Sequence, residues 1–245
     1  VVATLIVSGL LVPGPLSLLA GPGDAPSPAK GPGGPGSAPA GPAQGPSLAD
    51  GSGTRAGLSK YMDLEEDYDT LYYGSDANDY FGWDLELADI DQDGHDDIIA
   101  ASFGGDGYLD ERTDAGHIQI LWGRNQSFSG QEIDMVLEDP DVLIYSFDSG
   151  DNLGFSLDCG DINGDGYPDI VAGARYGDGA TNNRWYAGDV FVIYGRPRAE
   201  FTSVVDLQVS SDVIIFGNNS YDYGGYHLVV GNVNGDAYDD IAICA

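Results

Sequence analysis

Basic side chains are scarce. The 245 residues hold nine Lys and Arg against 40 Asp and Glu, a formal net charge of −31. Lys30 and Lys60 are the only lysines. Such a balance repels phosphate backbones and argues against nucleic acid as a partner. It suits a protein that binds cations, or one that works at high salt. Cysteine is rarer still, with Cys159 and Cys244 alone. No CxxC occurs, which argues against thiolate zinc sites and thioredoxin-like chemistry. The two read as buried free thiols, with a single disulfide as the alternative. HExxH and GxSxG are absent too. His95, His117 and His227 read as surface or packing residues, so the chain is expected to be non-catalytic. Helical periodicity is also missing, since no segment sustains an apolar period of 3.6.

Proline is confined. Ten of the 13 prolines fall in the first 46 residues. Residues 1–20 are apolar and uncharged and are broken by Pro13-Gly14-Pro15. The run before Pro13 has the length of a signal-peptide core, with cleavage expected near Ala20; a membrane anchor is the alternative. Residues 21–57 are rich in Gly and Pro without a fixed three-residue frame, which excludes collagen. Almost no apolar side chain larger than Ala occurs there, so burial cannot offset the entropy of ordering and a linker is expected. Residues 58–68 lead into the remainder.

What the rest does have is a repeat. Units begin at Asp69, Asp141 and Asp212, 72 and 71 residues apart. They span 69–140, 141–211 and 212–245, the third being cut short. "AGHIQILWGR" at Ala115–Arg124 returns as "AGDVFVIYGR" at Ala187–Arg196. The first unit holds four short runs rich in Ile, Val and aromatics, at Thr70–Tyr73, Trp83–Ala88, Asp97–Ser102 and His117–Trp122. Their length, alternation and Gly/Asp boundaries predict strands. Tandem four-stranded units predict all-β propeller blades rather than a solenoid, whose repeats are usually shorter. Ala88, Gly160 and Gly231 end the second run of each unit, as suits an inner strand near a crowded axis.

One acidic nonapeptide recurs in each unit: "DIDQDGHDD", "DINGDGYPD" and "NVNGDAYDD". Positions 1, 3, 5 and 9 are Asp89, Asp91, Asp93 and Asp97. In the second copy they are Asp161, Asn163, Asp165 and Asp169, and in the third Asn232, Asn234, Asp236 and Asp240. Only oxygen-bearing side chains stand there. Ca²⁺ takes six to eight oxygens, at roughly 2.3–2.6 Å. Position 7, held by His95, Tyr167 and Tyr238, is expected to add a backbone carbonyl. Gly94 and Gly166 at position 6 permit a left-handed turn. An EF-hand is excluded, because its bidentate Glu would fall on Ala100 or Ala172. The alternative is a metal-free acidic Asx-type turn. Four, three and two carboxylates at the side-chain positions rank the third site weakest. Ala237, where Gly is expected, adds a left-handed strain of about 1–2 kcal/mol to that ranking.

The pattern "YFG…ADIDQDGHDDIIAAS…AGHIQILWG" resembles the FG-GAP repeat of integrin α-chain β-propellers and related bacterial and archaeal surface proteins. The FG element stands at Phe81-Gly82, Leu153-Gly154 and Gly224-Gly225, and the GAP-like element at Ala100-Ala101-Ser102, Gly173-Ala174 and Cys244-Ala245. The resemblance implies an incomplete part of a seven-bladed propeller, with Ca²⁺ in hairpins on one face. It implies ligand contact on the other face, through Phe103–Asp114, Arg175–Tyr186 and the turns near Ser75–Asp79 and Ser149–Asn152. It also implies that Thr70–Tyr73 completes a blade whose other strands are missing.

The expectation is therefore a calcium-binding module, secreted or on the cell surface, for adhesion to an extracellular protein or glycan. The alternative is a propeller region accessory to a secreted enzyme, such as a phospholipase or other hydrolase, with its catalytic domain outside this chain. A structural spacer is a third reading. Trp185-Tyr186, in a loop, is the aromatic pair to test for glycan contact. Asn125-Gln-Ser127 and Asn218-Asn-Ser220 are glycosylation sequons.

Overall fold

The computed structural model describes residues 3–6, 70–124, 131–135 and 138–245. The linker 21–57, the lead-in 58–68, most of the apolar leader and the sequon at Asn125 lie outside them. Fourteen strands and three single-turn helical pieces make up the described chain.

The first complete sheet contains β3 (Leu85–Ala88), β4 (Asp97–Ser102), β5 (His117–Leu121) and β7 (Val142–Tyr145). Its order is β3-β4-β5-β7, with antiparallel neighbours. The second repeats it with β8 (Leu153–Gly160), β9 (Asp169–Ala174), β10 (Asp189–Ile193) and β12 (Val213–Phe216). β13 (His227–Gly231) and β14 (Asp240–Cys244) start a third. The expected blades are present, and each is offset from its repeat unit as the resemblance implied for Thr70–Tyr73. The first run of one unit is the outer strand of the blade before it.

Repeated residues explain the shift. Asp141, which opens the second unit, accepts the Trp122 N–H at 2.9 Å and ion-pairs with Arg124 at 3.0 Å. Asp212 does the same with the Tyr194 N–H at 2.8 Å and Arg196 at 2.6 Å. The unit's first Asp thus seals the edge of the previous blade. The pairs are partly exposed, so each contributes at most about 1 kcal/mol. The repeated Ala-Gly has a different cause. Ala115 O accepts the Leu153 N–H and Ala187 O accepts the Gly224 N–H, both at 2.8 Å. Gly116 (φ 82°) and Gly188 (φ 78°) sit where a Cβ would lie 2.2 and 1.9 Å from the next blade's backbone oxygen. Only glycine lets the blades approach so closely.

Three features correct the sequence reading. A fifth strand joins the first blade: β11 (Val204–Asp206) pairs in parallel with β7. β6 (Gln131–Asp134) lies on β2 (Thr70–Tyr73) in the same relative register. The four-stranded antiparallel blade is therefore extended by a parallel edge strand, drawn from the connection between β10 and β12. Second, β2 is not an open edge, because β1 (Ala3–Ile6) pairs with its other side. Those four residues belong to the apolar leader, and cleavage near Ala20 would remove β1. The first blade's inner strand also begins at Leu85, two residues later than expected.

The core lies between blades. Alternation sends Ile118 and Ile120 of β5 toward the second blade, where they meet Ile170, Ala172 and Phe191. Val190 and Val192 of β10 turn the other way and meet Leu228 of β13. One strand thus serves two interfaces, which is why β4, β9 and β10 read as nearly continuous apolar runs. The two cysteines are free, as expected, but neither is fully buried: Cys159 is half-buried and Cys244 is exposed.

Candidate metal centre

Each acidic nonapeptide joins a blade's inner strand to the next, at the end of the sheet opposite Phe103–Asp114 and Arg175–Tyr186. All three share one hydrogen-bond frame. The position 5 N–H donates to the position 3 side chain: Asp93 to Asp91 at 3.0 Å, Asp165 to Asn163 and Asp236 to Asn234 at 2.8 Å. The N–H groups of His95, Tyr167 and Tyr238 each donate to the position 5 carboxylate at 2.9 Å. In the first two loops the Gly94 and Gly166 N–H groups reach the position 1 carboxylate, again at 2.9 Å. These are Asx turns, and they curl the acids toward one point.

Position 9 acts as a clamp. Asp97 is fully buried and accepts the Ile90 N–H at 2.9 Å and the Gly123 N–H at 2.8 Å. Asp169 repeats this with the Ile162 and Gly195 N–H groups, both at 2.9 Å. Asp240 holds the Val233 N–H at 2.8 Å but is only partly buried. Burial pushes the Asp97 and Asp169 carboxyls up to about 6, while their backbone donors pull the other way. A cation would favour the charged form of both.

In the first loop, oxygens of Asp89, Asp91 and Asp97 lie within 4.8 Å of one another. Hard oxygen donors on a flexible loop suit Ca²⁺ or a similar ion. Each carboxylate oxygen also keeps lone-pair capacity beyond its N–H partner, so these residues fit a divalent cation. Asp93 stands outside that trio; its outer oxygen faces Arg198 at 3.3 Å. Among the described residues, Asp161, Asp165 and Asp169 form no such three-carboxylate cluster. Asn232, Asn234 and Asp236 of the third loop are exposed.

The glycine reading holds in part. Gly94 and Gly166 have φ of 93° and 94°. Ala237 does not follow them into positive φ, so the expected left-handed strain at the third loop is not present. Position 4 is the second left-handed position, at Gln92 (φ 57°), Gly164 (φ 76°) and Gly235 (φ 79°). Sequence reasoning passed over it because Gln92 hides the glycine pattern. Gln92 also donates to the Gly166 carbonyl, linking the first two loops. Arg198 was missed as well, since it lies 107 residues from Asp91.

The opposite end is also acidic. Asp151 is 4% exposed, and burial, then Asp148, Asp189 and Asp178, push its carboxyl up to about 8. Asp79, its counterpart one unit earlier, is raised to about 6 by burial and four neighbouring acids. Trp185 and Tyr186 are exposed there, and Tyr186 stacks with Tyr223. Trp122 is buried, as a packing residue should be.

Comparison with known proteins agrees with this architecture. The FG-GAP repeat family model matches residues 153–193, from β8 to β10. The chain is 30% identical over 164 residues to phosphatidylinositol-glycan-specific phospholipase D of Rattus norvegicus, covering 66% of this chain and 18% of that protein. It is 27% identical over 176 residues to integrin alpha-PS2 of Drosophila melanogaster, covering 70% and 12%. Integrin alpha-6 of Gallus gallus is 29% identical over 176 residues, covering 71% and 14%. The chain carries an FG-GAP repeat at residues 153–193, and its propeller blades are similar to regions of this phospholipase D and of the integrin alpha chains. It spans less than a fifth of the length of these relatives.

Proposed function

We propose that this chain is a calcium-braced, non-catalytic propeller module of a secreted or cell-surface protein. Its loop end would hold the metal, and its opposite end would contact an extracellular protein or glycan. The observation that carries the metal reading is the convergence of Asp89, Asp91 and Asp97 within 4.8 Å, in a frame that recurs in three loops. Asp89, Asp91, Asp93, Asp97 and the His95 carbonyl would ligate in the first loop. Asp161, Asn163, Asp165, Asp169 and the Tyr167 carbonyl would do so in the second. Asn232, Asn234, Asp236, Asp240 and the Tyr238 carbonyl complete the set. The ion would supply charge neutralisation, and the loops would lock the hairpins that space the blades.

Exposed Trp185 and Tyr186 support the contact surface, and so does the exposed turn carrying Asn218, the sequon that lies within the described residues. The apolar leader and the integrin relatives support the extracellular setting. Melting with Ca²⁺ and with EGTA tests the metal. A ligand that binds only the folded state raises its stability, so the midpoint should rise with Ca²⁺. An unchanged midpoint overturns the reading. A glycan array probed with wild type and Trp185→Ala tests the surface.

A second reading has its own support. The phospholipase D relatives favour a propeller region that serves a hydrolase domain outside this chain. Sequencing the complete gene discriminates, because a hydrolase domain in frame would select this reading.

A further inference from the structure

One contact breaks the repeat. Arg198 opens the short turn Arg198–Glu200, two residues past Arg196. From there the chain leaves the second blade, runs as β11 along the outer edge of the first, and returns as β12. This strap is pinned at both ends. At its start Arg198 Nε donates to Asp91 Oδ2 at 2.8 Å, and Nη2 to Asp93 Oδ2 at 3.3 Å. The guanidinium lies 4.7 Å from the Trp122 ring centroid. At its far end Asp206 accepts both Nη groups of Arg112, at 3.1 and 3.0 Å, and the Tyr145 hydroxyl at 3.1 Å.

We propose that Arg198 is the built-in counter-cation of the first loop, and that a divalent ion competes with it for Asp91 and Asp93. Filling the loop then frees the start of the strap. The inference rests on the metal reading above. Its physical basis is charge. The Asp91 side chain is 2% exposed, and a buried carboxylate needs a partner. Arg198 supplies one without metal. Once a dication sits among Asp89, Asp91 and Asp97, the same guanidinium faces a like charge a few ångströms away. Among the described residues no arginine pairs with an acid of the second or third loop, so the device belongs to the first alone. The loop richest in carboxylates is thus the one whose affinity is held back. Its loading state is also passed to the edge strand β11 of the same blade.

The test is a Ca²⁺ titration of the full chain as wild type, Arg198→Gln and Arg198→Lys, by calorimetry and by tryptophan emission. Asp89→Asn assigns the first-loop heat, and Trp122→Phe assigns the emission change. Arg198→Gln should bind Ca²⁺ at the first loop ~2- to 5-fold more tightly, the range set by a partly exposed ion pair. The gap should shrink with added salt. Arg198→Lys should stay close to wild type. Wild type should show a Trp122 emission change on loading, and Arg198→Gln should not. Equal first-loop affinities, or a Trp122 signal that ignores Ca²⁺, overturn the inference while leaving the metal reading intact. No heat and no melting shift in any chain sinks both. If Arg198→Gln fails to fold, the wild-type Trp122 response decides alone.

Discussion

The two ends of the blades carry the same kind of residue under different conditions. At the loop end, Asp97 is fully buried, yet both its oxygens accept backbone N–H groups, and Arg198 stands beside its neighbour Asp91. At the other end, Asp151 is almost as buried but is surrounded by Asp148, Asp178 and Asp189. The loop end answers an excess of acid with donors and a place for a cation. At the far end burial, then the neighbouring acids, push the Asp151 carboxyl up to about 8, which favours its neutral form. Acid content alone therefore does not identify a metal site, and neither do N–H donors, since far-end Asp189 accepts the Gly179 and Gly217 N–H groups; the convergence of Asp89, Asp91 and Asp97 sets the first loop apart.

The largest effect should come from removing the clamp. Asp97→Ala leaves the Ile90 and Gly123 N–H groups without their charged acceptor, at a cost of about 3 kcal/mol by urea unfolding. It should also abolish any Ca²⁺-dependent rise in melting temperature. Asp169→Ala should behave similarly at the second blade, and a much smaller loss there would weaken the equivalence of the two clamps.

Asp151→Asn should do the opposite and stabilise the chain at pH 7.5, by at least about 1–2 kcal/mol, because the carboxyl is ionised when unfolded and must take up a proton on folding, whereas the amide need not. The sign follows from the shift. With a folded value of about 8 against 3.8, the contribution of Asp151 is fully present below about pH 4 and is lost as pH rises through about 8. Asp79, at about 6, loses its own share over a lower range. Wild type should thus melt at falling temperature between pH 4 and pH 8, and Asp151→Asn should flatten the upper part of that slope. A wild-type slope of the opposite sign would contradict the contrast between the ends. The Ca²⁺ increment should be the same in Asp151→Asn as in wild type.

The smallest effect belongs to the third loop. Asp240→Ala removes a partly exposed carboxylate with a single charged backbone contact, and should cost under about 1 kcal/mol. A cost as large as that of Asp97→Ala would show that the third loop is clamped as firmly as the first.

Much of this was legible beforehand. The repeat, the strands and the three loops are local patterns, written within about ten residues, and the Asx turns that shape each loop span only two to five. Gly94 and Gly166 were read correctly for the same reason. Ala237 was not, because its conformation depends on how the whole loop settles once the glycine is gone.

What sequence by itself determined is the unit: its period, its strand lengths, its acid-bearing hairpin, and hence the propeller-blade class. Tertiary structure decided how units share their parts. Asp141 and Asp212 open a unit in sequence but close the blade before it in space. β11 leaves its own blade to edge another, and Arg198 crosses 107 positions to reach Asp91. Such contacts leave no local signature, because their loop-closure cost is met by blade–blade burial rather than by neighbouring residues. The same holds in part for Asp151, whose carboxyl is raised first by burial, then by Asp148 three residues away and by the more distant Asp189 and Asp178.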